Sequence, residues 1–336
     1  MRHSTATIQV DDTGFTLLHP LTSKAASRRP PTVNVVFVHG LRGHPRKTWE
    51  YPAPVQQGTV GASSSGFGTA PAKKGRLFGN LKRKILQPPT GAELSLLVAG
   101  SSDVVCGNET IYWPADFLPS VLPRAKIWTY GYNAEVSGKF FRANNKNNIL
   151  EHGNDFMMKL ERTLRDELPI IFVAHSLGGL VVKAAINGMQ SSIDPQYQQF
   201  SDRIRAIVFC GTPHRGSDAA AWGNLASNLL AMALMDSNSR LLYDMRVDSR
   251  ILRSIQADFL RALDRAPLRI HSFQEGRALT GVRGFNDKVV DGFSSRLGWA
   301  QETVETIDAD HREMVKKPGV KDISNILKDL EKEAVS

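Results

Sequence analysis

Ile170-Ile-Phe-Val-Ala-His-Ser-Leu-Gly-Gly179 is the stretch that decides the fold. Its first five residues are uncharged and rich in β-branched and aromatic side chains, the composition of a strand buried on both faces. The run passes into Ala174-His175-Ser176-Leu177-Gly178, and Leu180-Val-Val-Lys-Ala-Ala185 continues at once with helical character. Strand, sharp turn and helix in immediate succession make a nucleophile elbow, which lifts a serine oxygen clear of the sheet. Small residues two before and two after the serine are needed because neighbouring backbone passes close by. Here they are Ala174 and Gly178, Ala174 adding one methyl group to the commoner glycine. The elbow also sets Ser176 at a helix N-terminus, where the dipole favours developing negative charge. A serine that merely capped a helix would explain Ser176, but not Gly178, Gly179 or the buried strand before them.

Outward from the elbow, further β-branched runs lie at residues 33–38, 126–129, 204–210, 268–273 and 303–307. Stretches with helical spacing, such as 148–167 and 180–189, separate most of them. The alternation predicts an α/β domain with a mostly parallel sheet and helices on both faces. Residues 322–334 predict a terminal helix through Ile323, Ile326, Leu327 and Leu330. Near the start, residues 6–10 and 15–18 flank Asp11-Asp12-Thr13-Gly14 and read as a hairpin. No period of 20–50 residues repeats, which excludes a solenoid or propeller.

The chain has 336 residues and a net charge of +9. Residues 1–100 hold 13 Lys and Arg against 4 Asp and Glu, whereas residues 101–336 hold 29 of each. The basic character therefore belongs to the front of the chain. From Pro52 to Gly75, 15 of 24 residues are Pro, Gly, Ser or Ala, the composition of a flexible linker. Lys73, Lys74, Arg76, Lys82, Arg83 and Lys84 follow, interleaved with Leu77, Phe78, Leu81, Ile85 and Leu86. As a helix this segment would suit an anionic membrane surface; as a solvated insertion it would need no partner. No aromatic stacking set or helix-turn-helix accompanies the charge, so nucleic acid is not expected as a partner. Two cysteines, Cys106 and Cys210, can build neither a disulfide framework nor a four-cysteine metal site, and no metal or cofactor is called for. No apolar run is long enough for a membrane span. Lys24, Arg28 and Arg29 among Ser and Thr resemble a transit peptide, but Asp11 and Asp12 oppose that reading.

A serine hydroxyl needs a base, an acid to orient the base, and oxyanion donors to attack an acyl carbon. Leu177 N–H is one expected donor. The second is expected from the loop after an early strand, Val35-Val-Phe-Val-His-Gly-Leu41, at Leu41, with Gly40 letting the backbone turn its amide inward. The base should come late in the chain, and His311 follows an apolar strand in Ile307-Asp-Ala-Asp-His311. His39 and His175 lie within the backbone motifs and read as structural. His3, His19, His44, His152, His214 and His271 come too early. The acid should lie between Ser176 and His311 just past a strand, and by position Glu275 and Asp287 are equal candidates, with Asp218 a weaker third. The stretch 219–235, rich in Ala, Leu and Met, suits either a cap over an acyl pocket or an ordinary core helix.

Several motifs together resemble the α/β-hydrolase domain of the serine-active-site-containing (lipase-like) family, found also at the N-terminus of many fungal NB-ARC, NACHT and ankyrin-repeat proteins. They are Phe37-Val-His-Gly-Leu-Arg-Gly43, Thr48-Trp49, Trp113-Pro-Ala-Asp-Phe-Leu-Pro119, Tyr130-Gly-Tyr132, Ala174-His-Ser-Leu-Gly-Gly-Leu-Val-Val-Lys183, Gly211-Thr-Pro-His-Arg-Gly-Ser217 and Ala309-Asp-His311. The resemblance spans residues 15–318. It implies Ser176 as nucleophile and His311 as base, and its Phe-x-Glu pattern, matched by Phe273-Gln-Glu275, favours Glu275 over Asp287 as the acid. The family crosses from Thr48-Trp49 to Trp113 in far fewer residues. That divides the chain into a hydrolase domain, 1–50 with 111–336, and a flexible basic insertion, 51–110. The activity implied is a serine hydrolase acting on carboxylic esters or lipid acyl groups through an acyl-enzyme, its partners being the ester or lipid substrate. The alternatives are a phospholipid transacylase and a catalytically weak interaction module that retains the fold. Relatives associated with membranes, mitochondria or endoplasmic reticulum imply an intracellular protein, cytoplasmic or peripherally bound to one of those membranes.

Overall fold

The strand Val33–Val38 is buried at all six positions. Its side chains alternate between two apolar clusters: Val36 and Val38 enter one, and Val33, Val35 and Phe37 the other. A strand buried this way belongs in the middle of a sheet covered on both faces. The computed structural model describes residues 8–20, 30–54, 109–134, 149–215, 228, 249–266, 268–279 and 287–335.

The described strands are β1 (Gly14–His19), β2 (Val33–Val38), β3 (Glu50–Pro52), β4 (Thr110–Tyr112), β5 (Ala125–Gly131), β6 (Ile170–His175), β7 (Ile204–Cys210), β8 (Arg269–Glu275) and β9 (Glu302–Ile307). The described helices are α1 (Trp113–Asp116), α2 (Leu118–Val121), α3 (Ile149–Thr163), α4 (Gly178–Ser191), α5 (Pro195–Ser201), α6 (Ser249–Arg265) and α7 (Lys317–Val335). The main sheet runs β1-β5-β2-β6-β7-β8-β9. Only β1 is antiparallel to its neighbour; every other adjacent pair is parallel. This is the α/β-hydrolase fold. Phe156 and Leu160 of α3, Val181 and Ile186 of α4, and Ile255 and Phe259 of α6 fill the cluster on one face. Ile323 and Leu327 of α7 fill the other, with Trp49 and Trp113. The register Val38↔Ala174 brings the C-terminal ends of β2 and β6 side by side, and the parallel pairs continue that alignment to β9. Loops leaving those ends converge on one edge of the sheet, where ligands bind in this class of architecture.

Three expectations change. Residues 15–18 do belong to a strand, but its partner is not 6–10: Gly14 pairs with Gly131 and Phe15 with Tyr130 in β5. Ile8 to Val10 adopt no strand, and residues 6 and 7 lie outside the described residues. An isolated hairpin is marginal in water. Joining the sheet instead gives Phe15 the rings of Tyr130 at 4.8 Å and Phe156 at 5.7 Å. Strand β8 begins one residue later than the apolar pattern predicts and runs on to Glu275, carrying the acid candidate into the strand end itself. Helix α7 starts at Lys317, a turn and more before the apolar spacing shows it.

The chain divides into two units, residues 1–52 with 110–336 and residues 53–109. In the first unit β3 and β4 pair antiparallel, taking in Tyr51, Pro52 and Thr110, which the sequence assigns to the insertion. Of the second, residues 53, 54 and 109 are described, and Ala53 N–H donates to the Glu109 carbonyl at 2.8 Å. The basic residues Lys73, Lys74, Arg76, Lys82, Arg83 and Lys84 lie outside the described residues, as does 219–235 apart from residue 228. No described helix is long and apolar enough to cross a membrane.

Candidate active site

Strand β6 ends at His175 and α4 begins at Gly178, so two residues make the whole turn. The turn is sharp enough to force Ser176 to φ +54°, a left-handed conformation that costs a non-glycine residue about 1–3 kcal/mol. Ser176 N–H donates to the Cys210 carbonyl at 2.9 Å, tying the elbow to the end of β7. Tight backbone approach explains the glycines. A side chain at Gly178 would overlap the carbonyl oxygens of Val38 and His39, and one at Gly40 would place its Cβ 2.7 Å from that of Ser176. Gly40 is therefore packed directly on the serine. The Ser176 hydroxyl is buried and has no hydrogen-bond partner among the described residues.

Next to Gly40 the chain turns through Leu41, buried, and Arg42, at φ +50°. Arg42 N–H donates to the Ala134 carbonyl at 2.7 Å and Gly43 N–H to the Gly40 carbonyl at 2.9 Å, which fixes the loop. Neither Leu41 N–H nor Leu177 N–H donates to a described backbone carbonyl. His39 shapes this loop: its ring lies flat on Tyr132, 4.5 Å between centroids, and its Nδ1–H donates to the Gly40 carbonyl at 3.0 Å. Tyr132 Oη–H returns a bond to the His39 carbonyl at 2.9 Å. Burial pushes His39 down to about 4, so it is neutral there.

His311 and Glu275 are both fully buried, and His311 Nδ1–H donates to Glu275 Oε1 at 2.6 Å. The carboxylate also accepts Val289 N–H on Oε2 and Val290 N–H on Oε1, each at 2.9 Å. Three donors around one carboxylate suit an acceptor-only group and lock the imidazole in the tautomer whose Nε2 is bare. That Nε2, like the Ser176 hydroxyl, has no partner among the described residues. Asp287 is elsewhere: exposed, with its carboxylate on its neighbour's backbone, Lys288 N–H at 2.7 Å. It does not meet His311. Asp218 lies outside the described residues.

Sequence reasoning set His175 aside as structural without finding its task. Its Nε2–H donates to the His311 carbonyl at 2.8 Å, and the two rings lie 4.9 Å apart. The elbow thus holds the backbone of the histidine that the spacing nominated as base. Burial, with His311 as the next cause, pushes His175 down to about 3, so the ring is neutral with its proton on the donating Nε2. The signal missed was position: His175 closes β6 immediately before the elbow serine, at the end of the sheet where the chain to His311 also arrives. Among the described residues no group of three His, Cys, Asp or Glu is placed to hold a metal ion.

The sheet order and the strand-turn-helix around Ser176 define a chain built on the α/β-hydrolase fold. Residues 152–242, which include the elbow, match the family model described as "Putative serine esterase (DUF676)". The chain is similar to protein SERAC1 of Bos taurus, 24% identical over 263 residues that cover 78% of this chain and 32% of that protein. It is likewise similar to protein SERAC1 of Homo sapiens, 24% identical over 248 residues, 74% of this chain and 30% of that one. It spans about a third of the length of these relatives. Among solved structures it superposes on mature Bacillus licheniformis lipase BlEst2 with a TM-score of 0.50, 14% identity, and coverage of 94% of this chain and 97% of that one. That superposition establishes the shared fold.

Proposed function

We propose that the protein is a serine hydrolase of carboxylic or lipid acyl esters, with Ser176 as nucleophile, His311 as base and Glu275 as the acid. The observation that carries the reading is the buried 2.6 Å bond from His311 Nδ1 to Glu275, which leaves Nε2 bare on the sheet edge where Ser176 is held in a strained turn. Ser176 Oγ attacks the acyl carbon while its proton passes to His311 Nε2. The tetrahedral oxyanion is met by Leu177 and Leu41 N–H, each such donor contributing about a hundred- to a thousandfold in rate. His311 then protonates the departing alcohol, and water, activated in turn by His311, releases the acid. Hydrolysis of short- and long-chain acyl esters tests the reading: turnover by the wild type and its loss in Ser176→Ala is expected, and equal turnover by the variant would overturn it.

The resemblance of the motifs to the lipase-like family supports a lipid substrate. It also keeps open a transacylase step, in which a lysolipid hydroxyl takes the place of water on the acyl-enzyme. The basic segment from Lys73 to Lys84 is proposed to hold the protein at an anionic membrane surface, such as that of mitochondria or endoplasmic reticulum. Flotation with vesicles of neutral and anionic lipid checks this. Binding should require anionic lipid and fall when residues 73–86 are deleted, and unchanged flotation of the deletion variant would contradict it.

A further inference from the structure

One five-residue loop touches the surroundings of all three proposed triad members. Residues 211–215 leave the end of β7 as Gly-Thr-Pro-His-Arg. Gly211 lies against the base: a methyl group there would sit 3.0 Å from His311 Nδ1. Thr212 Oγ1–H donates to the Ser176 carbonyl at 3.1 Å. His214 and Arg215 N–H donate to the Ser294 carbonyl at 2.6 and 3.2 Å. Ser294 is four residues past Val290, whose N–H holds Glu275.

The loop has an internal anchor that the triad does not use. Lys183, on α4 two turns past the elbow, is fully buried, with Nζ 2.6 Å from His214 Nδ1 and 2.6 Å from Gln256 Oε1 on α6. The rings of Phe209 and Phe259 flank the amine at 5.5 and 5.4 Å. Burial lowers both Lys183 and His214 well below their ordinary values. With the amine donating to Nδ1, the His214 proton sits on Nε2, which has no partner among the described residues. An incompletely satisfied polar network costs stability relative to apolar packing of the same volume. Its place in the fold is better explained by what it positions.

We propose that Lys183 and His214 are positioning residues for the triad, a strut from Gln256 through Lys183 to His214 that fixes the 211–215 loop and, through it, the Ser176 carbonyl and the seat of His311. The proposal rests on the serine-hydrolase reading. Lys183→Met and His214→Leu remove the bond at nearly constant volume, whereas His214→Asn keeps an acceptor where Nδ1 lies. In acyl-ester hydrolysis the first two should lower kcat about ten- to a hundredfold with KM within about twofold, because a small misplacement of reacting groups acts on the chemical step. His214→Asn should recover most of that loss. Thr212→Val, which only deletes the hydroxyl that holds the Ser176 carbonyl, should also lower kcat, and it serves where a core variant fails to fold. Folded Lys183→Met or His214→Leu with wild-type kcat would overturn the proposal. So would an Asn variant no better than Leu, or a Thr212→Val variant with wild-type kcat where the core variants do not fold. A wild type without Ser176-dependent turnover would instead sink the serine-hydrolase reading, and this proposal with it.

Discussion

At the scale of single residues, the choice between Glu275 and Asp287 turns on main-chain donors. Both follow a strand in the sequence, and position alone leaves them equal. Glu275 ends β8 and receives the N–H groups of Val289 and Val290, fourteen and fifteen residues on, together with His311 Nδ1–H. Among the described residues the Asp287 carboxylate accepts only its own neighbour's amide. Glu275→Ala should therefore lower kcat by up to about 10⁴, while Asp287→Ala leaves it within about twofold. Initial rates on one ester decide this, and the reverse ranking would mean that the bond to His311 is not the one used. The nucleophile and base candidates were legible because the elbow spacing and the chain order are local signals. For the acid, the family resemblance of Phe273-Gln-Glu275 favoured Glu275, whereas position and residue type alone did not, because the main-chain donors around it come from fourteen and fifteen residues on.

At the scale of elements, the β-branched runs located β2, β5, β6, β7 and β8 to within a few residues, since strands buried on both faces have no other composition open to them; β9, an edge strand buried only at Ile307, was found from its β-branched residues alone. The partner of β1 was not legible, because pairing with β5 depends on residues more than a hundred positions away. The aromatic cluster where that partnership is sealed is a place to test it. Phe156 of α3 is fully buried, with Phe15 at 5.7 Å, Tyr130 at 4.7 Å and Phe172 at 5.7 Å. Phe156→Ala should cost about 3–5 kcal/mol, read from urea unfolding. A loss well under 1 kcal/mol would show that β1 and α3 are not packed as described. Helix α5 carries a signal that apolar periodicity overlooks: Asp194 caps Gln196 N–H at 2.9 Å, and Pro195 opens the helix.

Over the whole molecule, the net charge of +9 belongs to the first hundred residues, while the body that carries the site is balanced. The body is acid-sensitive for a different reason. His39 and His175 are neutral in the fold, pushed down to about 4 and about 3 from 6.5. In the unfolded chain each takes up a proton below about pH 6.5, so there the unfolded state binds more protons and stability falls with pH. The loss is on the order of 2 kcal/mol per buried histidine at pH 5. Melting temperature should drop between pH 7 and pH 5, and an equal or higher value at pH 5 would contradict the buried neutral assignment. Sequence showed that these histidines sit inside backbone motifs; that one braces the loop after β2 and the other the backbone of His311 emerges only when the strand ends are brought together.

The central claim is that Ser176 is an activated nucleophile, and covalent trapping tests it most directly. Folded protein treated with a fluorophosphonate should gain one adduct, mapped by peptide mass spectrometry to Ser176 and absent from Ser176→Ala. No adduct on the folded wild type, or one that persists in the variant, would contradict the account.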